Sequence, residues 1–356
     1  MVKGSKTVKI TLDKQGSYLG MEKGCYIVKD REGNIQRYPQ FENQIGEVIL
    51  KSGSCVSTGA LASLGFWNIN VLITTQRGKP CAVLRDIDDD SHVWIRILQY
   101  KALESKKGLE IAQTVILKKI EGQQQILKKY NLRPFDYALI EKIRNVNESS
   151  ITKGDFISPY TYLGKIRYRL NNYEGHLSEH YFNQIFSVMP ERLQPEHRRT
   201  FKAYDAVNNL FNLGYTMLKW KVYKALVNAK LEPYLGFLHS EQFGKPSLVC
   251  DFMEIYRYII DDFVIGFCKD LSKKDFIVKS EVMSRGKIGK REYLNDNETK
   301  EFMVALDKLF NSYVDIPRIR HGNRQELDTL ISEEALLFAK CLRHKNERWI
   351  PRLPII

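Results

Sequence analysis

The sequence predicts a two-domain α+β chain, with a small β domain over residues 1–90 and a larger all-α domain over residues 91–356. A switch of hydrophobic period carries this reading. Up to about residue 90, short runs alternate apolar with polar residues between glycines, the period of strands. From Val93 onward, apolar residues recur at helical spacing. The 356 residues also exceed one ordinary domain, and 43% are hydrophobic, enough for a sizeable core.

In the first part, Val8, Ile10 and Leu12 alternate with polar neighbours. Further β-rich runs follow at Tyr26 to Val28, Val48 to Leu50, Val71 to Thr74 and Cys81 to Leu84, punctuated by Gly24, Gly33, Gly53 and Gly78. One short helix is expected at Thr58 to Phe66. The acidic, polar DIDDDS at Asp86 to Ser91 marks the domain boundary.

The second part opens with helical spacing from Val93 to Lys129, where Leu109, Ala112, Ile116 and Ile120 share one face. Helical patterns then run from about Thr161 to Phe186, Asp205 to Ala229, Ser247 to Cys268, Glu298 to Phe310 and Gln325 to Leu342. The basic, Gly-rich SRGKIGKR at Ser284 to Arg291 reads as an exposed hairpin or loop that could touch phosphate.

The 55 Lys and Arg residues outnumber 42 Asp and Glu, a net charge of +13 that favours a polyanionic partner. The six cysteines, Cys25, Cys55, Cys81, Cys250, Cys268 and Cys341, include no C-x-x-C pair. That argues against zinc or a disulfide framework and for buried thiols in a reducing cytosol. The N-terminus has no apolar signal-peptide core and no stretch is long enough to span a membrane, so a cytoplasmic protein is expected. There is no phosphate-binding loop, no G-x-S-x-G elbow and no H-E-x-x-H.

Three acidic or imidazole sites remain, the third with two residues. Glu174 falls inside the apolar stripe formed by Leu170, Leu177 and Tyr181, and a carboxylate there needs a cationic partner or a metal. His239 follows Pro233 and Gly236 in a connection between helices, where a neutral imidazole can ligate. Asp251 and Glu254 lie three apart near the start of a helix, on the face opposite Leu248, Phe252, Ile255 and Ile259. Two acids so close create a potential that a divalent cation relieves. Each position also has a structural explanation: a salt-bridged Glu174, a hydrogen-bonded His239, a helix-dipole partner in Asp251 and a solvated Glu254.

The surrounding words carry a family resemblance. Asp205 to Leu218, DAVNNLFNLGYTML, is followed by LEPYLGFLH and SLVCDFMEIYR, and a G-x-x-L stands at Gly16 to Leu19. In this order and spacing, over nearly the whole chain, the sequence resembles the CRISPR-associated endonuclease/integrase, the catalytic subunit of the spacer-acquisition complex. The resemblance implies metal ligands at Glu174, His239 and Glu254, an auxiliary acid at Asp251, and Mg²⁺ or Mn²⁺ as cofactor. It implies joining of 3′-hydroxyl ends of spacer-precursor DNA to the CRISPR repeat by transesterification. It also implies double-stranded DNA, a homodimer and a small partner subunit as partners.

Two departures are visible: Leu177-Ser178 replaces small alanines, and Tyr258 replaces a proline after Arg257. Neither is expected to touch a ligand. Arg285, Lys287, Lys290 and Arg291 are nominated for DNA phosphates, with Arg318, Arg320 and His321 as a second basic cluster. A metal-dependent nuclease acting on branched or repair intermediates would use the same ligands, and a DNA-binding scaffold would use none. A transposon-encoded relative is expected to carry a further DNA-binding domain after the core, whereas this sequence stops at RWIPRLPII.

Overall fold

In the strand β1 (Val8–Leu12), Ile10 and Leu12 are buried while Lys9 and Thr11 face out, which is the alternation of a sheet with one covered face. The computed structural model describes residues 8–40, 45–67, 69–76, 78, 80–84, 93–147, 164–200, 203–282, 288–316, 324–344 and 347–356. The chain separates into two compact units, residues 1–92 and 93–356.

Unit one holds β1, β2 (Tyr18–Glu22), β3 (Cys25–Lys29), β4 (Ile35–Pro39), β5 (Ile45–Lys51), β6 (Cys55–Val56), α1 (Thr58–Phe66), β7 (Asn70–Thr74) and β8 (Pro80–Leu84). The strands form two four-stranded sheets, ordered β1-β5-β7-β8 and β4-β3-β2-β6. Ile10, Leu12, Leu19, Tyr26, Val48, Leu50, Leu64 and Val71 make the core. Ser57 caps α1, its hydroxyl accepting the Ala60 N–H at 3.1 Å.

Unit two contains α2 (Val93–Leu103), α3 (Lys106–Lys129), α4 (Tyr137–Arg144), α5 (Gly164–Ser187), α6 (Ala206–Asn228) and α7 (Ser247–Cys268). These are followed by β9 (Phe276–Val282), β10 (Ile288–Leu294), α8 (Asp296–Phe310), β11 (Tyr313–Asp315), β12 (Arg324–Glu326) and α9 (Leu327–Arg343). It is therefore not all-α: β9–β10 and β11–β12 are antiparallel pairs. The first pair straddles the basic segment expected as a hairpin. Strand alternation was hidden there by charges at both ends. α4 escaped the sequence reading because eight residues are too few to show a period.

α7 is the axis of unit two, packed on α3 and α6 and buried on nearly every side. Two glycines let the neighbours approach. A Cβ at Gly122 of α3 would fall against the Tyr258 ring, and one at Gly214 of α6 would lie 2.6 Å from Ile260 Cγ2. Tyr258, the replacement for proline, is itself buried and donates to the Pro354 carbonyl at 2.5 Å. Cys268 and Cys341 are buried, but Cys55 and Cys81 are exposed, correcting the expectation of uniformly buried thiols. Among the described residues, no helix is long and apolar enough to cross a membrane.

Candidate functional site

The sequence motif DAVNNLFNLGYTML builds the frame of the site. Asp205 caps α6, accepting the Asn208 N–H at 2.7 Å, and Asn209 Nδ2 reaches the Glu292 carbonyl at 2.7 Å on β10. Farther along, Tyr215 and Tyr181 both donate to Asp261 of α7. Burial pushes the Asp261 carboxyl up, and the two tyrosine hydroxyls with Arg257 and Arg198 only partly offset this, leaving it at about 6.

The loop Leu231 to Pro246 carries His239 and has little freedom. Gly236 must be glycine, because a Cβ would lie 2.7 Å from the Ser247 carbonyl carbon and 2.8 Å from the His239 oxygen. Arg167 of α5 donates to the carbonyls of Phe237 at 2.9 Å and Gly236 at 2.5 Å. Gln99 of α2 bonds Glu232 and Leu235 from the other side.

Asp251 closes the loop onto α7. Its Oδ2 accepts the N–H groups of Phe237 at 2.6 Å and Leu238 at 3.0 Å. Its Oδ1 accepts the His239 N–H at 2.9 Å and faces His239 Nδ1 at 2.7 Å. A carboxylate can only accept, so Nδ1 carries the hydrogen, and in the neutral ring Nε2 keeps the free lone pair. Asp251 is 1% exposed and His239 partly exposed, so the imidazole is anchored on its inner side and accessible on its outer side.

One helical turn beyond Asp251, Glu254 is also buried. The structural alternative of a solvated Glu254 is therefore overturned. The apolar residues surrounding the two acids in SLVCDFMEIYRYIID put the whole helix inside. Glu254 Oε1 lies 2.9 Å from Arg257 Nη1 and Oε2 lies 2.8 Å from Lys119 Nζ. Burial drives this carboxyl upward, but Arg257, Lys119 and His239 outweigh it and hold it down at about 2.

Glu174 joins the same cluster from α5. Its Oε1 pairs with Lys119 Nζ and accepts the Ser178 hydroxyl at 2.6 Å. The structural explanation offered for Glu174, an ion pair, thus holds, and the pair is shared with Glu254. Ser178, a departure expected to leave the ligands alone, touches one of them.

The structure thereby gathers Glu174 and Glu254 around Lys119, and holds His239 on Asp251 one helical turn before Glu254. Among the described residues, no three His, Cys, Asp or Glu side chains stand as a ready metal cluster. An ammonium already occupies the space between the two carboxylates. Lys119 was missed in the sequence although it lies within about 20° of Ala112 on the apolar stripe of α3, the same signal that singled out Glu174.

Of the nominated basic residues, Lys290 is exposed. Arg291 is committed to Glu281 at 2.7 Å and to the Ala203 carbonyl at 2.8 Å. Arg285, Lys287, Arg318, Arg320 and His321 lie outside the described residues.

Comparison with known proteins gives this geometry a context. The family model described as CRISPR associated protein Cas1 matches residues 10–308. CRISPR-associated endonuclease Cas1 2 of Pyrobaculum aerophilum is 30% identical over 275 residues, covering 75% of this chain and 85% of that protein. CRISPR-associated endonuclease Cas1 of Korarchaeum cryptofilum is 27% identical over 274 residues, covering 75% and 80%. A casposase bound to its integration product shares the fold with a TM-score of 0.73 at 21% identity, covering 96% of this chain and 92% of the other. A Cas1 protein from Thermotoga maritima does so with a TM-score of 0.70 at 17% identity, covering 94% and 97%. From the matched span, the curated relatives and the order of the motifs, the chain belongs to the Cas1 family of CRISPR-associated proteins.

Proposed function

We propose that this chain is a divalent-metal-dependent DNA integrase and endonuclease of CRISPR spacer acquisition, with Glu174, His239 and Glu254 as metal ligands. The observation that carries the reading is the His239–Asp251 pair set beside Glu254. A buried carboxylate fixes the imidazole tautomer so that Nε2 is the ligating nitrogen, the second-sphere arrangement typical of metal-binding histidines.

The donor set fits a hard dication with some tolerance for nitrogen, which describes Mg²⁺ and Mn²⁺. Glu254, buried yet held ionised by its cationic neighbours, fits it too. When bound, the ion would neutralise charge developing on phosphoryl oxygens as a 3′-hydroxyl attacks. Around it, Asp251 holds His239 in orientation, and Ser178 holds Glu174. Arg257 keeps Glu254 ionised in a buried site. Lys290 and the wider basic surplus would neutralise phosphates along the duplex.

Double-stranded DNA, a homodimer and a small partner subunit complete the proposal. A Cas6-RT-Cas1–Cas2 complex whose fold overlays 97% of this chain supports the last of these.

The test is strand transfer of a short duplex with 3′-hydroxyl ends into a supercoiled plasmid carrying a CRISPR repeat. It would be run with the small partner subunit in Mg²⁺, Mn²⁺ or EDTA. Metal-dependent joined product that disappears in Glu254→Ala is the expected result. Cutting without joining would favour the nuclease acting on branched or repair intermediates, and DNA binding without any metal-dependent product would leave only a scaffold.

A further inference from the structure

We propose that Lys119 is a built-in counter-ion of the ligand pair Glu174 and Glu254, and that its ammonium must swing out for a divalent cation to bind. The inference rests on the metal reading above.

Two carboxylates cannot sit close together in a buried site without compensating positive charge. Here Glu254 is 4% exposed, and α3 supplies the compensation from the opposite side. Lys119 is itself 5% exposed, yet its head group contacts both Glu174 and Glu254. Arg257 supplies the second cation, on the other oxygen of Glu254. Two carboxylates and two cations leave the cluster neutral. Asp251 is covered separately by three backbone N–H groups and an imidazole.

This balance constrains how a dication can enter. Added on top of Lys119, it would leave the site with two surplus positive charges and place two cations between the same oxygens. With Lys119 withdrawn, the surplus falls to one, the charge that a single phosphodiester carries in the opposite sense. A lysine suits this role better than an arginine, since its head is a point charge on a flexible stem. The way out is on the Glu174 side, where that side chain is 23% exposed. Lys119 therefore tightens the site when empty and competes with the metal when it arrives.

The experiment uses the full chain without DNA. Mn²⁺ binding is followed by the electron paramagnetic resonance of free Mn²⁺, for wild type, Lys119→Met and Glu254→Gln. Melting is recorded in EDTA and in saturating Mn²⁺. Lys119→Met should bind Mn²⁺ roughly tenfold more tightly or better, a shift typical of site-to-site coupling. It should melt lower than wild type in EDTA, and Mn²⁺ should raise its melting temperature more. If wild type binds Mn²⁺ and Glu254→Gln weakens it, but Lys119→Met binds equally or more weakly, the Lys119 inference fails while the metal reading stands. If neither wild type nor Lys119→Met binds Mn²⁺, both fail.

In case Lys119→Met does not fold, wild type gives a second readout. Amine-directed acetylation mapped by mass spectrometry should leave Lys119 unmodified in EDTA and label it in saturating Mn²⁺. Protection that persists with metal bound overturns the proposal.

Discussion

Replacing Asp251 by Asn tests whether this residue is the pivot that holds both the ligand loop and the His239 tautomer. The carboxylate takes four hydrogen bonds: from the N–H groups of Phe237, Leu238 and His239, and from His239 Nδ1. An asparagine keeps one oxygen, which can still serve Phe237 and Leu238, but turns an NH₂ towards two donors at His239. The loss is about 2–3 kcal/mol, from two donors left unmet at about 1–3 kcal/mol each with some relaxation of the loop. In a unit of this size that lowers the melting temperature by about 4–12 °C. Asp251→Ala orphans all three amides and should cost more, about 4 kcal/mol or above. Function should suffer beyond stability, because the imidazole then loses the partner that sets its tautomer. Losses of about 10–100-fold in metal affinity or strand transfer are usual for such an outer partner. The assay pairs calorimetric melting with strand transfer well below the melting temperature. If Asp251→Asn melts within about 2 °C of wild type and joins DNA at the wild-type rate, then neither the loop nor the histidine depends on this carboxylate.

Three further outcomes follow from the geometry. Glu254 titrates at about 2 when folded, below its ordinary 4.5. Its contribution to stability is thus fully present above about pH 4.5 and fades as pH falls towards 2. Acid unfolding monitored by circular dichroism should show this slope in wild type and not in Glu254→Gln. Asp261 is the opposite case, with its carboxyl raised from 3.8 to about 6 by burial, so it stabilises the fold less as pH rises through that window. Removing a donor in Tyr215→Phe should raise that carboxyl further and cost about 1–3 kcal/mol at pH 8, and less at pH 5 where the acid is protonated. Comparing the two melting temperatures checks it, and an equal loss at both pH values would contradict the assignment. Finally, Gly122→Ala puts a methyl against the Tyr258 ring and should destabilise by about 1–3 kcal/mol, read as a melting shift of about 2–12 °C.

Much of this was legible in the sequence, for identifiable reasons. The long helices were, because periods sustained over twenty residues leave little ambiguity: α7 spans Ser247–Cys268, as the pattern indicated. The glycine of GFLH and the Asp of the DAVNN motif were visible as words, and the structure supplies their causes, a close approach at Ser247 and a helix cap. The surroundings of Asp251 and Glu254 were not legible. A helical wheel shows which residues share a face but not that α3 and α6 cover both faces. Nor could Lys119 and Glu174 be paired, since they lie 55 positions apart and only the packing of α3 on α5 makes them neighbours. The β9–β10 pair stayed hidden because its strands carry charges rather than a clean alternation.

One further consequence lies in α5. Arg167 and Glu174 are seven residues apart, two turns on one face of that helix, so a single rod presents a proposed ligand and also clasps the loop that presents His239. The His239 loop is therefore clasped from two helices, by Arg167 of α5 and by Asp251 of α7. A tilt or slide of α5 would move Glu174 directly and pull on the His239 loop through Arg167, while Asp251 holds that loop to α7 beside Glu254. The spacing of the three proposed donors thus follows the placement of α5 on its neighbours rather than three independent side-chain rotations. Substitutions that merely loosen α5 against α3 should then degrade the chemistry out of proportion to the stability they remove.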